Sequence, residues 1–126
     1  MVLTHVRVGC DDPEQAFKFY DATFGALGVP AQRMGENAMY GEPGKGMLVV
    51  GKPRDGEPAT HANGGTIGLG AASPAHVGAW HAAGLANGGT DEGAPGRRDY
   101  GTRAMYGAYL RDPTGNKLCA FCQLPE

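Results

Sequence analysis

Polar and hydrophobic residues alternate at the start of the chain, and hydrophobic residues then recur at helical spacing. The alternation covers residues 3–10 and predicts a half-buried β-strand. Residues 11–14, DDPE, place a capping aspartate, a proline and an acidic side chain where a helix begins. The pattern therefore predicts a helix that ends near Gly25 and buries one aromatic face. The aromatic residues at helical spacing are Phe17, Tyr20 and Phe24.

The same order of elements begins again in the second half of the chain. Residues 66–70 predict a strand of small residues, and residues 73–89 predict a second helix that starts with a serine cap and a proline. Pro74 lies 61 residues after Pro13, and the strands before these prolines keep the same spacing. A constant offset across a strand and a helix indicates an internal repeat.

Each half of the chain closes with a hairpin. Residues 107–122 predict two strands joined by a turn at residues 112–116, DPTGN, where proline presets φ and glycine permits a positive φ. Residues 42–50 carry a fainter copy, offset by 70 residues. The larger offset places an insertion in the second copy, at residues 90–103. Because that segment has no apolar period, we expect a connection without regular structure, either a functional lid or a mobile loop.

Length, charge and cysteine count limit the kinds of function that the chain is expected to have. A chain of 126 residues predicts a single domain or two small halves that share one core. The 11 basic and 13 acidic residues give a net charge of −2, which favours neither a nucleic acid nor an anionic membrane as partner. The first residues show no signal peptide and no membrane span. Three cysteines predict reduced thiols and a cytoplasmic location.

Two units of strand, helix and three strands resemble the vicinal oxygen chelate superfamily, which includes glyoxalase I, extradiol dioxygenases, fosfomycin-resistance transferases and bleomycin-resistance proteins. The resemblance rests most on the opening HVRVGCDDPEQAFKFYDATFGALG and the closing YLRDPTGNKLCAFC. The segment GAPGRRDYG resembles a subgroup of glyoxalase-like bacterial proteins.

The resemblance implies an α+β fold, in which two βαβββ modules form a curved mixed sheet around a cavity with the helices outside. The single domain then covers residues 1–126, with one module at about residues 1–53 and the other at about 64–124. The resemblance also implies a homodimer and a divalent metal ion, such as Ni, Mn, Zn or Fe, in the cavity.

The resemblance and the repeat together assign four metal-ligand positions. They hold His5 and Val49 in the first module, and Thr66 and Cys119 in the second. Histidine is a good ligand and a cysteine thiolate is a usable one, whereas a threonine hydroxyl is weak and valine cannot bind. His5 and Cys119 are therefore the candidate metal ligands of a degenerate site. His5 is alternatively a cavity histidine that hydrogen-bonds a neighbour.

Three residues are candidates for substrate binding. Arg7 has the same strand parity as His5, and its guanidinium would suit a carboxylate or a phosphate unless it reaches solvent at the edge of the sheet. Thr66 occupies a ligand position of the second module. Tyr109 lies on the face that family members use near the substrate, or else it only packs within its strand.

Other polar residues receive simpler interpretations. Cys119 and Cys122 form a C-x-x-C pair within a strand, where they point to opposite faces and do not form a disulfide easily. This leaves Cys122 for the core and Cys119 for the cavity, where it is a candidate reactive thiol. We assign surface roles to His61, His76 and His81.

The inserted segment also contributes candidate residues. Its arginines, Arg97, Arg98 and Arg103, either attract an anion to the mouth of the cavity or are simply solvated. Tyr100 is a candidate lid aromatic.

Two classes of function follow. The degenerate ligand positions favour a protein that binds a small organic molecule in a metal-free cavity, as in the bleomycin-resistance branch. The alternative is a metal-dependent lyase or dioxygenase of the vicinal oxygen chelate type, whose missing ligands come from water, from substrate or from a partner subunit. The sequence identifies no catalytic residue for that alternative.

Overall fold

Two units of strand, helix and three strands follow one another in the structure, a computed structural model that describes residues 2–125. The first unit consists of β1 (His5–Gly9), α1 (Pro13–Ala26), β2 (Ala31–Met34), β3 (Asn37–Gly41) and β4 (Met47–Gly51). The second consists of β5 (Ile67–Gly70), α2 (Pro74–Ala86), β6 (Thr90–Tyr100), β7 (Arg103–Arg111) and β8 (Lys117–Gln123). The predicted α+β fold of two βαβββ units is therefore confirmed.

Each unit forms one mixed four-stranded sheet. The strand orders are β1-β4-β3-β2 and β5-β8-β7-β6, and only the first pair in each order is parallel. Val8 pairs with Val50 in the first sheet, and Leu69 pairs with Ala120 in the second. These pairs preserve the offsets of 61 and 70 residues found in the sequence. Equivalent positions of the two units can therefore be compared directly.

The helices begin where their capping residues predict. The side chain of Asp12 accepts a hydrogen bond from the backbone N–H of Gln15 at 3.3 Å, and Ser73 caps α2 in the same way through His76. Both helices end just before a glycine with positive φ, Gly28 at 73° and Gly88 at 93°. No helix within residues 2–125 is long and apolar enough to span a membrane.

One hydrophobic core joins the two units. Each helix packs on one face of its own sheet, and α1 also packs against α2. Phe19, Tyr20 and Trp80 are fully buried in this core. Gly89 permits the close approach, because a Cβ atom there would lie 2.5 Å from the Phe19 ring. The packing leaves the opposite face of each sheet without a helix.

The expected loop at residues 90–103 is a strand instead, and that prediction was wrong. Residues 90–100 form β6, which pairs antiparallel with β7 at the edge of the second sheet. The register shifts between Asp91 and Gly93 and again between Gly93 and Gly96, so the strand is bulged. Neither of its faces is buried in the core, and a strand exposed on both sides shows no apolar alternation.

Candidate ligand-binding site

The residues singled out by the sequence lie on the helix-free faces of the two sheets. His5, Arg7 and Val49 share one face of the first sheet, because the register pairs Arg7 with Val49. Cys119 and Tyr109 are paired on the helix-free face of the second sheet. Val49 and Cys119 are both buried at 8 % exposure, yet neither belongs to the core around the helices. The candidates are therefore divided between two sheets.

In the first sheet, the polar candidates already have partners. The Arg7 guanidinium donates hydrogen bonds to Asn37 Oδ1 at 3.1 Å and to the Lys52 carbonyl at 3.0 Å. Nδ1 of His5 lies 3.0 Å from the hydroxyl of Thr4. Arg7 consequently lies flat along the sheet and holds the ends of β3 and β4 together.

In the second sheet, Cys119 is a neutral thiol. Burial raises its pKa above the ordinary value, while Lys117 and the backbone N–H of Leu69 lower it by less. A thiol with a raised pKa is a poor nucleophile at neutral pH. Thr66 lies immediately before β5 and is exposed.

Aromatic and cationic side chains surround Cys119. We call this set, Tyr100, Tyr109, Lys117, Cys119 and Phe121, the aromatic face. The rings of Tyr109 and Phe121 meet edge to face with centroids 5.6 Å apart, and Tyr100 lies 6.0 Å from Phe121. The Lys117 ammonium lies 5.1 Å from the centre of the Tyr109 ring. The hydroxyls of Tyr100 and Tyr109 are 3.4 Å apart, and this contact, with burial, raises the pKa of Tyr109 to about 12.

A cavity of about 460 Å³ opens between the two sheets. It lies beside the end of α1 and the first residues of β1 and β4, and β5 forms its opposite wall. Its apolar lining includes Val6, Phe24, Leu48 and Leu69, and its polar residues include His5. The volume lies within the range of about 300–1,000 Å³ typical of small-molecule sites.

His81 was assigned to the surface, and that interpretation was wrong. It is 7 % exposed, and its Nε2 lies 2.7 Å from Asp91 Oδ1. The same carboxylate oxygen accepts the N–H of Gly93, inside the β6 bulge. This contact ties α2 to the bulged edge strand. The pattern of α2 alone does not reveal the partner, because β6 was not predicted.

Most of the chain matches the sequence model of one protein family. The model of the Glyoxalase/Bleomycin resistance protein/Dioxygenase superfamily matches residues 2–120. The chain belongs to this superfamily. No curated protein gave a significant match.

Solved structures of the glyoxalase superfamily share the fold. A glyoxalase/bleomycin resistance protein from Albidiferax ferrireducens T118 is 46% identical with a TM-score of 0.90, over 96% of this chain and 98% of that one. A family enzyme from Burkholderia phytofirmans PsJN is 18% identical with a TM-score of 0.71, over 96% and 98%. Lactoylglutathione lyase from Agrobacterium tumefaciens is 23% identical with a TM-score of 0.61, over 95% and 92%. The last two similarities concern the fold alone.

The ligand positions of this glyoxalase superfamily member do not fit a catalytic divalent metal. Such a site needs about three protein ligands with open positions left over. The four positions hold His5, Val49, Thr66 and Cys119, so histidine and cysteine are the only strong donor types among them. Among residues 2–125, no three His, Cys, Asp or Glu side chains lie close enough together to hold a metal ion.

Sequence analysis of this superfamily member missed Lys117 and Phe121. Their positions follow from the alternation along β8, because residues 117, 119 and 121 point to the same side. The alternation along β8 is thus the sequence signal that identifies both residues.

Proposed function

We propose that this glyoxalase superfamily member binds a small organic molecule and uses no catalytic metal ion. The observation that carries the proposal is the chemistry of the four ligand positions. One histidine, one cysteine, a threonine hydroxyl and a valine offer fewer strong donors than the three protein ligands of a catalytic divalent ion. The cavity and the adjoining sheet face retain the size and apolar lining of a binding site.

We propose Arg7, Thr66 and Tyr109 as contacts of that molecule. Tyr109 has the strongest support, since its half-buried ring lies beside the Lys117 ammonium and its hydroxyl can donate a hydrogen bond. The hydroxyl of Thr66 is exposed beside β5. Arg7 would have to exchange its present hydrogen bonds with Asn37 and Lys52 for bonds to an anion.

We also propose a homodimer in the cytoplasm. β1 and β5 are edge strands with free backbone groups, and Val2 and Leu3 beside β1 are 96% and 63% exposed. The three cysteines are free thiols, which suits a reducing compartment.

Metal content tests the central proposal. The untagged protein is purified, its metal content is measured, and it is titrated with Ni(II), Mn(II), Zn(II) and Fe(II). We expect none of these ions to bind stoichiometrically. His5→Ala should bind them as weakly as the unmodified protein does. The control His76→Ala changes an exposed histidine on α2 and should behave in the same way. Binding of one ion per chain that is lost in His5→Ala but kept in His76→Ala would refute the proposal. That result would favour the metal-dependent lyase or dioxygenase.

Ligand binding is tested separately. A panel of small aromatic, aliphatic, neutral and charged molecules is screened by thermal shift against metal-free protein. A molecule that binds only the native state stabilises it, so the unfolding midpoint rises with the concentration of that molecule. At one hundred times its Kd, the free energy of unfolding rises by about 2.7 kcal/mol. A panel with no stabilising molecule would contradict a binding function.

A further inference from the structure

We propose that the aromatic face, together with the adjoining strand β5, binds a small planar aromatic carboxylate. The inference rests on the proposed function, because it names the location and the chemical class of the ligand. It depends on three features of the second sheet: open space, flat apolar walls and unpaired positive charge.

The open space lies above β5. Rows of paired residues cross the helix-free face, and each row contains glycines: Gly68 with Cys119 and Tyr109, and Gly70 with Phe121 and Gly107. The Phe121 ring fills the space above Gly107, where a Cβ atom would clash with it.

Nothing fills the space above the two β5 glycines. A Cβ atom on Gly68 would meet only the Cys119 sulfur at 3.5 Å, and one on Gly70 would meet nothing within 4 Å. Neither glycine has a positive φ, so the backbone does not require glycine there. We call this space the β5 trough. Both of its glycines also line the cavity, so the trough and the cavity adjoin.

The walls of the trough suit an aromatic ring. Phe121 forms one wall, with Tyr100 and Tyr109 packed against it, and the Cys119 sulfur lies beside Gly68. Tyr100 is 53% exposed, although its ring is large and apolar. Aromatic rings prefer offset or edge-to-face contact with other rings, which a planar ligand can make here.

The charge on this face favours an anion. Lys117 lies over the Tyr109 ring, and both that ring and the Arg98 guanidinium lie close to Gly93. Within residues 2–125, the ion pairs of the protein leave both of these cations without a carboxylate partner. The Arg98 guanidinium is held by the carbonyls of Gly96, Gly107 and Ala94, whereas the Lys117 ammonium has only the ring. Lys117 is therefore the group we assign to the ligand carboxylate.

The separation between Lys117 and Phe121 along β8 fits an acid with one or two aromatic rings. Lys117 and Phe121 are four residues apart on β8, which separates their Cα atoms by about 13 Å at about 3.3 Å per residue. Cys119, between them, is the small residue over which the ring would lie. An aromatic acid placed against Phe121 would then direct its carboxylate toward Lys117.

The test uses 2-naphthoate and its neutral isostere 2-naphthamide as fluorescent probes of the metal-free protein. Lys117→Met keeps the length of the side chain and removes its charge, with Lys18→Met on the exposed side of α1 as control. Gly70→Leu fills the trough, with Gly25→Leu as control, since a Cβ atom at Gly25 also meets nothing within 4 Å. Leu3→Trp narrows the cavity at an exposed residue of its lining.

We expect naphthoate to bind at least tenfold more tightly than naphthamide, because a charge-assisted contact is worth a factor of about ten or more. Lys117→Met should abolish this preference, and Gly70→Leu should abolish binding of both probes. Lys18→Met and Gly25→Leu should bind as the unmodified protein does.

Several results would overturn the inference. Equal affinity for the two probes, or a preference unchanged in Lys117→Met, would remove the role of the cation. Binding that survives Gly70→Leu and is lost in Leu3→Trp would place the ligand in the cavity, so the inference would fail while the proposed function stands. If Gly70→Leu instead turns a dimer into a monomer in sedimentation, a second copy of the chain covers the face. Failure of every molecule in the wider panel would refute both proposals.

Discussion

The hydrogen bond between Tyr20 and Asp112 should be one of the strongest single polar contributions to stability. Tyr20 lies on α1 of the first unit, and Asp112 lies in the turn between β7 and β8 of the second. The hydroxyl of Tyr20 donates to Asp112 Oδ2 at 2.5 Å, and both residues are buried. Replacing Tyr20 by phenylalanine removes this donor and leaves the ring in place.

The surroundings of Asp112 determine how much this donor contributes. Oδ1 accepts the backbone N–H groups of Thr114, Gly115 and Asn116 at 2.8–2.9 Å. Oδ2 accepts the Asn116 side-chain amide at 2.9 Å as well as the Tyr20 hydroxyl. The carboxylate is thus surrounded by donors, and none of these contacts is an ion pair. The Asn116 amide also donates to the carbonyl of Gly9, so the network joins the turn to β1.

A hydrogen bond to a buried charged group contributes about 1.5–3 kcal/mol. The short distance favours the middle of this range, so Tyr20→Phe should lower the free energy of unfolding by about 2 kcal/mol. For a chain of this length, 1 kcal/mol shifts the thermal midpoint by about 4 °C, which predicts a fall of about 8 °C. Urea unfolding followed by circular dichroism should give the same loss with an unchanged m-value.

Tyr40→Phe is the matched control. Its hydroxyl donates to Asp21 Oδ1 at 2.8 Å, but Asp21 is exposed and is also held by Arg33. Water and Arg33 can replace the lost donor, so we expect a loss below about 1 kcal/mol.

Asp112→Asn completes a double-mutant cycle with Tyr20→Phe. The asparagine keeps one acceptor oxygen for the three backbone amides but turns a donor toward the Asn116 amide. We expect a loss similar to that of Tyr20→Phe, and a double variant that loses clearly less than the sum. The reasoning is refuted if Tyr20→Phe costs no more than Tyr40→Phe, or if the two losses simply add.

Further predictions concern titration and the β6 bulge. Spectrophotometric titration should show Tyr109 ionising near pH 12, and Tyr100→Phe should lower that pKa, because the Tyr100 hydroxyl is the largest cause of the shift. Burial raises the pKa of Tyr20 as well, so stability should be intact below about pH 10 and fall as the pH rises further, because unfolded tyrosines ionise first. The His81 contact lowers the pKa of Asp91, so Asp91→Asn should destabilise the protein above about pH 4 and make little difference in stronger acid. His81→Ala should raise hydrogen exchange in residues 90–96.

The parts of the fold that short sequence motifs specify were predictable, and the parts fixed by pairing with distant strands were not. Caps, prolines and the DPTGN turn act over a few residues, so both helices and the final hairpin follow from sequence. β6 does not follow, because an exposed edge strand is fixed by its hydrogen bonds to β7 rather than by its own pattern. The environment of His81 depends on that strand, and it was missed for the same reason.

The candidate site was predictable only within each sheet. Strand parity assigns Tyr109 and Cys119 to one face, and the structure has them paired there. Parity does not determine how the two units pack, so it does not place the two positions of the first sheet relative to the two positions of the second. Parity also does not reveal at which glycines a neighbouring side chain fills the space above the backbone.

The equivalence of the two units supports the proposed location of the ligand on the second sheet. Gly51 in the first sheet occupies the position equivalent to Phe121, and the space above it is occupied by the side chains of Asn37 and Arg7. Arg7 itself is equivalent to Gly68 in the second unit.

On the helix-free face, the side chains of the first unit therefore fill the space above Gly51, whereas the space above Gly68 and Gly70 in the second unit is open. Where the first unit has Arg7 with its hydrogen bonds, the second has Gly68, whose Cβ position would meet only the Cys119 sulfur at 3.5 Å. A Cβ atom on Gly70 meets nothing within 4 Å, so the open space above β5 has room for a group from outside the chain. That open space lies beside a buried thiol and three aromatic rings, which is the arrangement that the proposed ligand would fill.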